Sequence, residues 1–303
     1  MPCDCDRRHR EAERPAHRAR NLWYDNADQI AQFLSAANPN FKLNAVQAMM
    51  KMHLGSTLAE AVALLGSDWS GSIVNYDDVV KDVLAMADAL AGGIAAQFPD
   101  LVPPSGLSSK AEDQHVAMRE LWEEHIGYHR AFLVSDVASL PDLNAVQARL
   151  LQNQADIGDA IKPVYGGAAG DALTNLLRGH IQYAVEAITA AQTRDSAALA
   201  AAEAKLYANG NDIAAFLAKA NPNLPQSDLE TMMKEHIDQV LAEATARLGA
   251  QWTVEYKDYD LAEAHILAMA DGLSDAIVKQ FPDVFGTSGG APAPSSPAGG
   301  PMY

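Results

Sequence analysis

The sequence predicts an all-α fold of repeated antiparallel helical hairpins, and three observations predict it. Apolar residues recur at steps of three and four, as in Met233, Ile237, Val240, Leu241, Ala244 and Leu248; this is the stripe of a helix that buries one face. Ala, Leu, Glu and Gln dominate these stretches, and all are good helix formers. The stretches stop at prolines, in "ANP" and "QFP", because the residue before proline is biased out of the α region. No alternating strand pattern competes.

The elements follow in an order set by duplication. Residues 23–101 match 206–284 at an offset of 183 without a gap, with 35 identities in 79 positions. Upstream of the first copy, residues 1–21 are crowded with Arg, His and Pro and show no helical periodicity. They are expected to be a disordered or mis-assigned arm. Residues 22–101 then read as a partial, three-helix copy, and 102–111, around "LVPPSGLSSK", as a linker. Residues 112–285 read as a six-helix bundle unit. Inside it "LWEEHI" (121–126), "LLRGHI" (176–181) and "MMKEHI" (232–237) recur about 55 residues apart, each opening one of three hairpins. Residues 286–303, rich in Gly, Pro and Ser, are expected to be a disordered tail.

The totals bound the partners. Lys plus Arg is 22 against 39 Asp plus Glu, a formal charge of −17. Nucleic acid and anionic membrane surfaces, which need basic patches, are therefore not expected as partners. The two cysteines, Cys3 and Cys5, cannot staple the body of the chain, and two ligands make no metal site. No apolar run has the length of a membrane helix, and no secretory h-region is visible; a cytoplasmic location is the default expectation. The three-helix copy is expected to need cover for its apolar face, so self-association through it is expected.

Residues 112–285 resemble a bacterial family of all-helical proteins. The resemblance is carried by "LLQNQADIGDAIKPVYG", "YANGNDIAAFLAKANPN" and "HILAMADGLSDAIVKQFPD". It implies a helical fold and no established chemistry. Relatives sometimes bear a glycosyltransferase label, which a chain without predicted strands does not support.

The residues with chemical interest are polar groups on an apolar stripe. His125, His180 and His236 hold equivalent places in the three hairpins, and each falls on the face predicted to be buried. Counting 1.5 Å per residue from each hairpin turn puts Asn153 and Asp156 level with His125, and Asn209 and Asp212 level with His180. In the third hairpin, Asp271 is expected to play that part for His236. His129, four residues after His125, shares its helix face, whereas the adjacent Glu124 diverges by about 100°. The first copy keeps Asn26, His53 and Asp88 at the matching places. Met49, Met50, Met232 and Met233 read as core filler, Trp69 and Trp252 as anchors of loops between helices, and the glycines of "VYGGAAGD" (164–171) as a turn between helices.

Three readings of the layer are open. Its Asn and Asp groups satisfy buried imidazoles and only set hairpin register. Alternatively the layer binds a divalent metal, with His125, His129, His180, His236, Asn153, Asp156, Asn209, Asp212 and Asp271 as the ligand pool, or a small molecule. The third is acid–base catalysis by the same groups. Binding is the function carried forward, a structural or interaction module its alternative, and an enzyme the second alternative.

Overall fold

The structure, a computed structural model, describes residues 4–102 and 109–287, with side chains from residue 17 onward. Every element among them is a helix: α1 (Asp4–Ala37), α2 (Leu43–Leu65), α3 (Trp69–Gln97), α4 (Lys110–Val137), α5 (Leu143–Tyr165), α6 (Gly167–Thr193), α7 (Ser196–Ala220), α8 (Gln226–Leu248), α9 (Trp252–Gln280) and the short α10 (Pro282–Phe285). The all-α hairpin architecture is as the sequence predicts. The backbone of α1 is helical from Asp4, where the sequence shows no apolar period. The side chains of Cys3 and Cys5, residues 103–108 of the linker and the tail beyond residue 287 lie outside the described residues.

The chain forms two compact units, divided at residues 107 and 108. In the first, α2 packs against both α1 and α3. In the second, α4 to α9 each pack on their chain neighbours, and α9 packs back on α4. The six helices therefore close into a ring. Short connections force antiparallel neighbours, so the ring alternates up and down.

The duplication is visible in the helix limits. Adding 183 to the bounds of α2 and α3 gives those of α8 and α9, and adding it to the end of α1 gives the end of α7. The Asn-Pro-Asn turn is built alike in both units. The Oδ1 of Asn38 accepts from the Asn40 amide at 2.9 Å, and that of Asn221 from the Asn223 amide at 2.9 Å. Gln97 and Gln280 donate to the last carbonyls of α1 and α7, Ala37 and Ala220, at 3.1 and 3.0 Å. These bonds occupy carbonyls that the helix end leaves without an intrahelical donor.

The glycines of "VYGGAAGD" divide between two roles. Gly166, at φ 84°, makes the turn between α5 and α6. Gly170 is already inside α6, where a Cβ would press on the Gly158 carbonyl and on Lys162. Gly158 meets Gly170 and Thr174 in return, so this pair sets how closely α5 and α6 approach.

What differs between the units is cover. Ile213, Ile266 and Ile277 are at most 5% exposed inside the ring, while their counterparts Ile30, Val83 and Ile94 are 38–46% exposed. The first unit keeps a small core of Ala31, Phe41 and Val46. There the Phe41 ring lies on Gly93, where any Cβ would collide with it. The second unit has Leu224 and Ala276 at these places, a smaller side chain opposite a larger one. Gly93→Ala alone is therefore expected to destabilise the first unit by about 1–3 kcal/mol through overpacking. Adding Phe41→Leu is expected to restore most of that loss. Denaturant unfolding of the single and double variants measures the coupling; additive losses would contradict this packing account.

Candidate functional site

The site is built from the repeated "xxHI" segments. α4, α6 and α8 alternate around the ring, and each turns its stripe histidine inward. His125, His180 and His236 are all buried. The His180 and His236 rings stack, with centroids 5.7 Å apart at 25°, and His125 lies 5.9 Å from His236. His129, one turn further along α4, is buried as well.

In the first two hairpins a residue 29 positions later supports the histidine. Gln154 Nε2 lies 3.2 Å from His125 Nδ1, and Asn209 Oδ1 lies 3.1 Å from His180 Nδ1. Asn209 also donates to the Leu176 carbonyl at 3.1 Å. For His125 that second task falls to Asn153, which donates to the Leu121 carbonyl at 2.9 Å. In the third hairpin the residue at this spacing is His265, whose Nε2 lies 3.0 Å from the Met232 carbonyl. These bonds tie a helix of each pair to a backbone carbonyl of its partner and fix register.

The predicted carboxylates do not join the layer. Asp156 accepts from Gln152 at 2.8 Å and pairs with Arg149 at 3.6 Å on the outside. Asp212 is exposed in the groove between α6 and α7. Asp271 meets Arg119 at 2.6 Å and His115 at 3.9 Å on the surface. The height count was sound but ignored azimuth: Asp156 and Asp212 follow Asn153 and Asn209 by three residues, a 60° turn away from the axis. For His236 the residue at equal spacing is His265, six residues before Asp271, and it bonds the Met232 carbonyl and not the His236 ring. Among the described residues no three His, Cys, Asp or Glu side chains are placed to hold one metal ion.

On one side of the histidines the ring encloses a cavity lined by residues of all six long helices. Its volume is about 40 Å³. Its walls are apolar, among them Trp122, Ile157, Leu177, Ile213, Met233 and Leu273, and His125, His180 and His236 form its polar end. It runs toward the ends of α5, α7 and α9. There the Tyr165 hydroxyl donates to Gln280 Oε1 at 2.7 Å and accepts from Asn221 at 3.0 Å.

On the other side the histidines give way to buried charge that the sequence reading missed. Arg130 Nη1 donates to Glu243 Oε1 at 3.0 Å and lies 2.8 Å from Glu255. Its guanidinium sits 4.5 and 4.7 Å from the ring centres of Tyr256 and Tyr259. Arg247 adds a second ion pair to Glu255, at 3.6 Å. Both glutamates are wholly buried. Between this network and the layer, His129 Nδ1 lies 4.0 Å from Glu243 Oε2, and neither atom hydrogen-bonds to another described residue. The available signal was Glu243 falling seven residues after His236, on the same buried stripe.

Burial dominates the electrostatics. It holds His125 down to about 3 and His129 and His180 to about 4, with repulsion from neighbouring imidazoles adding to it for His125 and His129. His236 is lowered well below its usual value by burial and then by His180, His125 and His129. Glu243 is raised to about 7 by burial, against the pull of Arg130. The layer is thus four neutral imidazoles. Comparison of the chain with family models, with curated proteins and with solved structures finds no match.

These shifts make the fold acid-labile. A histidine lowered in the folded state contributes its full stability above about pH 6.5 and loses it as pH falls, because the unfolded chain takes up a proton that the folded chain refuses. Glu243, raised to about 7, acts oppositely between pH 7 and 4.5 and offsets part of the four-histidine effect; Glu123, raised mainly by burial but half-exposed, adds less because solvent screens it. Stability is expected to fall by on the order of 2 kcal/mol per pH unit between pH 6.5 and 5. His129→Phe should flatten that slope by about one proton. A pH-independent unfolding midpoint over this range would contradict the neutral layer.

Proposed function

We propose that the six-helix unit is a binding module for a small, mostly apolar molecule. The observation that supports this is the axial cavity: apolar walls from six helices, ending on three neutral histidines. The cavity as it stands has about 40 Å³, room for a few waters, so a ligand enters it by displacing lining side chains, and a few convergent polar groups on an apolar wall are what orient such ligands. His236 Nδ1 and both ring nitrogens of His129 have no hydrogen-bond partner among the described residues, which argues against a purely register-setting layer, since a buried polar atom without a partner costs about 1–3 kcal/mol. Binding of a divalent metal in the same layer is supported less well, since no three candidate ligands are placed around one point.

Ligand that binds only the folded state raises the melting temperature with its concentration. Toluene and propylbenzene are expected to raise it in the native protein. Leu273→Phe, which fills the cavity, is expected to abolish the rise. Zn²⁺, Mn²⁺ and Fe²⁺ are expected to leave the midpoint unchanged; a metal-dependent rise lost in His180→Ala or His236→Ala would favour the metal reading instead.

A separate observation supports self-association. Ile30, Val83 and Ile94 are exposed, whereas their counterparts Ile213, Ile266 and Ile277 are buried by the second unit's own helices. We propose that this face pairs with that of another chain. Sedimentation of the full chain should show concentration-dependent association, reduced by Ile30→Lys and Val83→Lys. A monomer at all concentrations would end this proposal.

A further inference from the structure

The first unit has the shape of half a ring. Its α1, α2 and α3 match α7, α8 and α9. In the second unit the other half, α4 to α6, closes on these at two seams, α6 on α7 and α9 on α4. Side chains that the closed ring buries stand open in the first unit. Ala244, Ala270 and Ser274 are at most 4% exposed, whereas Ala61, Ala87 and Ala91 at the same places are exposed. They add small residues to the face that holds Ile30, Val83 and Ile94, so helices can approach it closely.

The charges of this face differ along with its cover. In the ring, Arg130 of α4 reaches across to Glu243 and Glu255, and Arg247 backs Glu255. Glu263 of α9 hydrogen-bonds to Glu123 of α4. The first unit has Ser72 at the place of Glu255, Leu64 at that of Arg247 and Val80 at that of Glu263. Glu60, at the place of Glu243, keeps its carboxylate, five residues before the end of α2. A covering half that brought an arginine like Arg130 would meet one carboxylate instead of two. An arginine buried without its full set of partners is costly. A face that lacks charge of both signs at these places suits a partner equally uncharged there, and a second copy of the same face is that partner.

Resting on the self-association proposed above, we propose that the first units of two chains join as the two halves of one six-helix ring. All neighbours in the ring of the second unit are antiparallel. A two-fold axis running across the helices reproduces this. It sets α1 against α1 of the second chain and α3 against α3, both antiparallel. An axis along the helices would instead set α3 parallel to the other chain's α1. The contact is isologous, so it closes at two chains and leaves no open face for a third. Glu60 then lies near a mouth of the ring, within reach of water.

Sedimentation equilibrium of the full chain should fit a monomer–dimer equilibrium with no larger species; growth beyond a dimer would overturn the closed ring. Ala87 is exposed in the lone unit, so Ala87→Lys should fold. It should weaken the dimer by on the order of a hundredfold, because the two-fold axis brings two like charges into one seam. Val62 is 60% exposed, and its counterpart Thr245 stays exposed in the ring, so Val62→Lys should leave the dimer unchanged. Equal losses from both variants would overturn ring completion and leave self-association standing. A monomer at every concentration would overturn both. Glu60→Gln should leave the dimer at least as tight; a loss would mean that a cation of the partner holds Glu60, and would overturn the pairing of like faces. Lys81 is exposed near the middle of α3. With Cys3 and Cys5 replaced by Ser, nitroxide labels on Lys81→Cys should report one short distance, since helices in contact lie about 8–10 Å apart. A single long distance, spanning the ring, would overturn the two-fold arrangement.

Discussion

The structure of the six-helix unit turns on keeping imidazoles uncharged inside a closed ring. Four histidines from α4, α6 and α8 share an interior that offers no exposed path for charge. Burial alone lowers each, and proximity lowers His125, His129 and His236 further, since protonating one ring raises the cost of protonating the next. Neutral imidazoles remain polar, so they need partners. Gln154, Asn153, Asn209 and His265 are the residues that meet this need or tie the helices beside it. Register and cavity wall are therefore consequences of one requirement.

The ring separates its polar chemistry by height. One end of the axis is apolar space closed by a Tyr165–Asn221–Gln280 cluster. The middle is neutral and polar. The other end is ionic, with Arg130 and Arg247 compensating Glu243 and Glu255. A buried ion pair rarely adds stability over an apolar substitute, yet breaking one partner is costly. The network therefore acts as a constraint on how α4, α8 and α9 meet, and the raised Glu243 marks where that constraint touches the histidine layer.

Much of this was legible in the sequence because helices write their periods into it. The 183-residue offset fixed the matching limits of α2 with α8 and α3 with α9, and prolines fixed the ends of α1 and α3. The stripe positions of His125, His180 and His236 correctly read as buried. Height along a hairpin was legible too, which is why Asn153 and Asn209 were found. Azimuth was not: a rotation of 60° took Asp156 and Asp212 outside. His265 was overlooked because Asp271 was placed level with His236, although a polar residue stands 29 positions after the histidine in all three hairpins. Closure of α9 on α4, the cavity, and the burial of Glu243 and Glu255 depend on contacts across the ring, which no local pattern records. The helical backbone of residues 4–21 has no apolar period, so a search for periods could not find it.

The central claim is that the histidine layer is neutral in the folded protein across the physiological range. A ¹H–¹⁵N titration of labelled histidine side chains reads it directly. The account predicts that His125, His129, His180 and His236 keep neutral-imidazole shifts from pH 8 down to the onset of acid unfolding. Titration of any of these four with a midpoint near 6.5 in the folded protein would contradict the account.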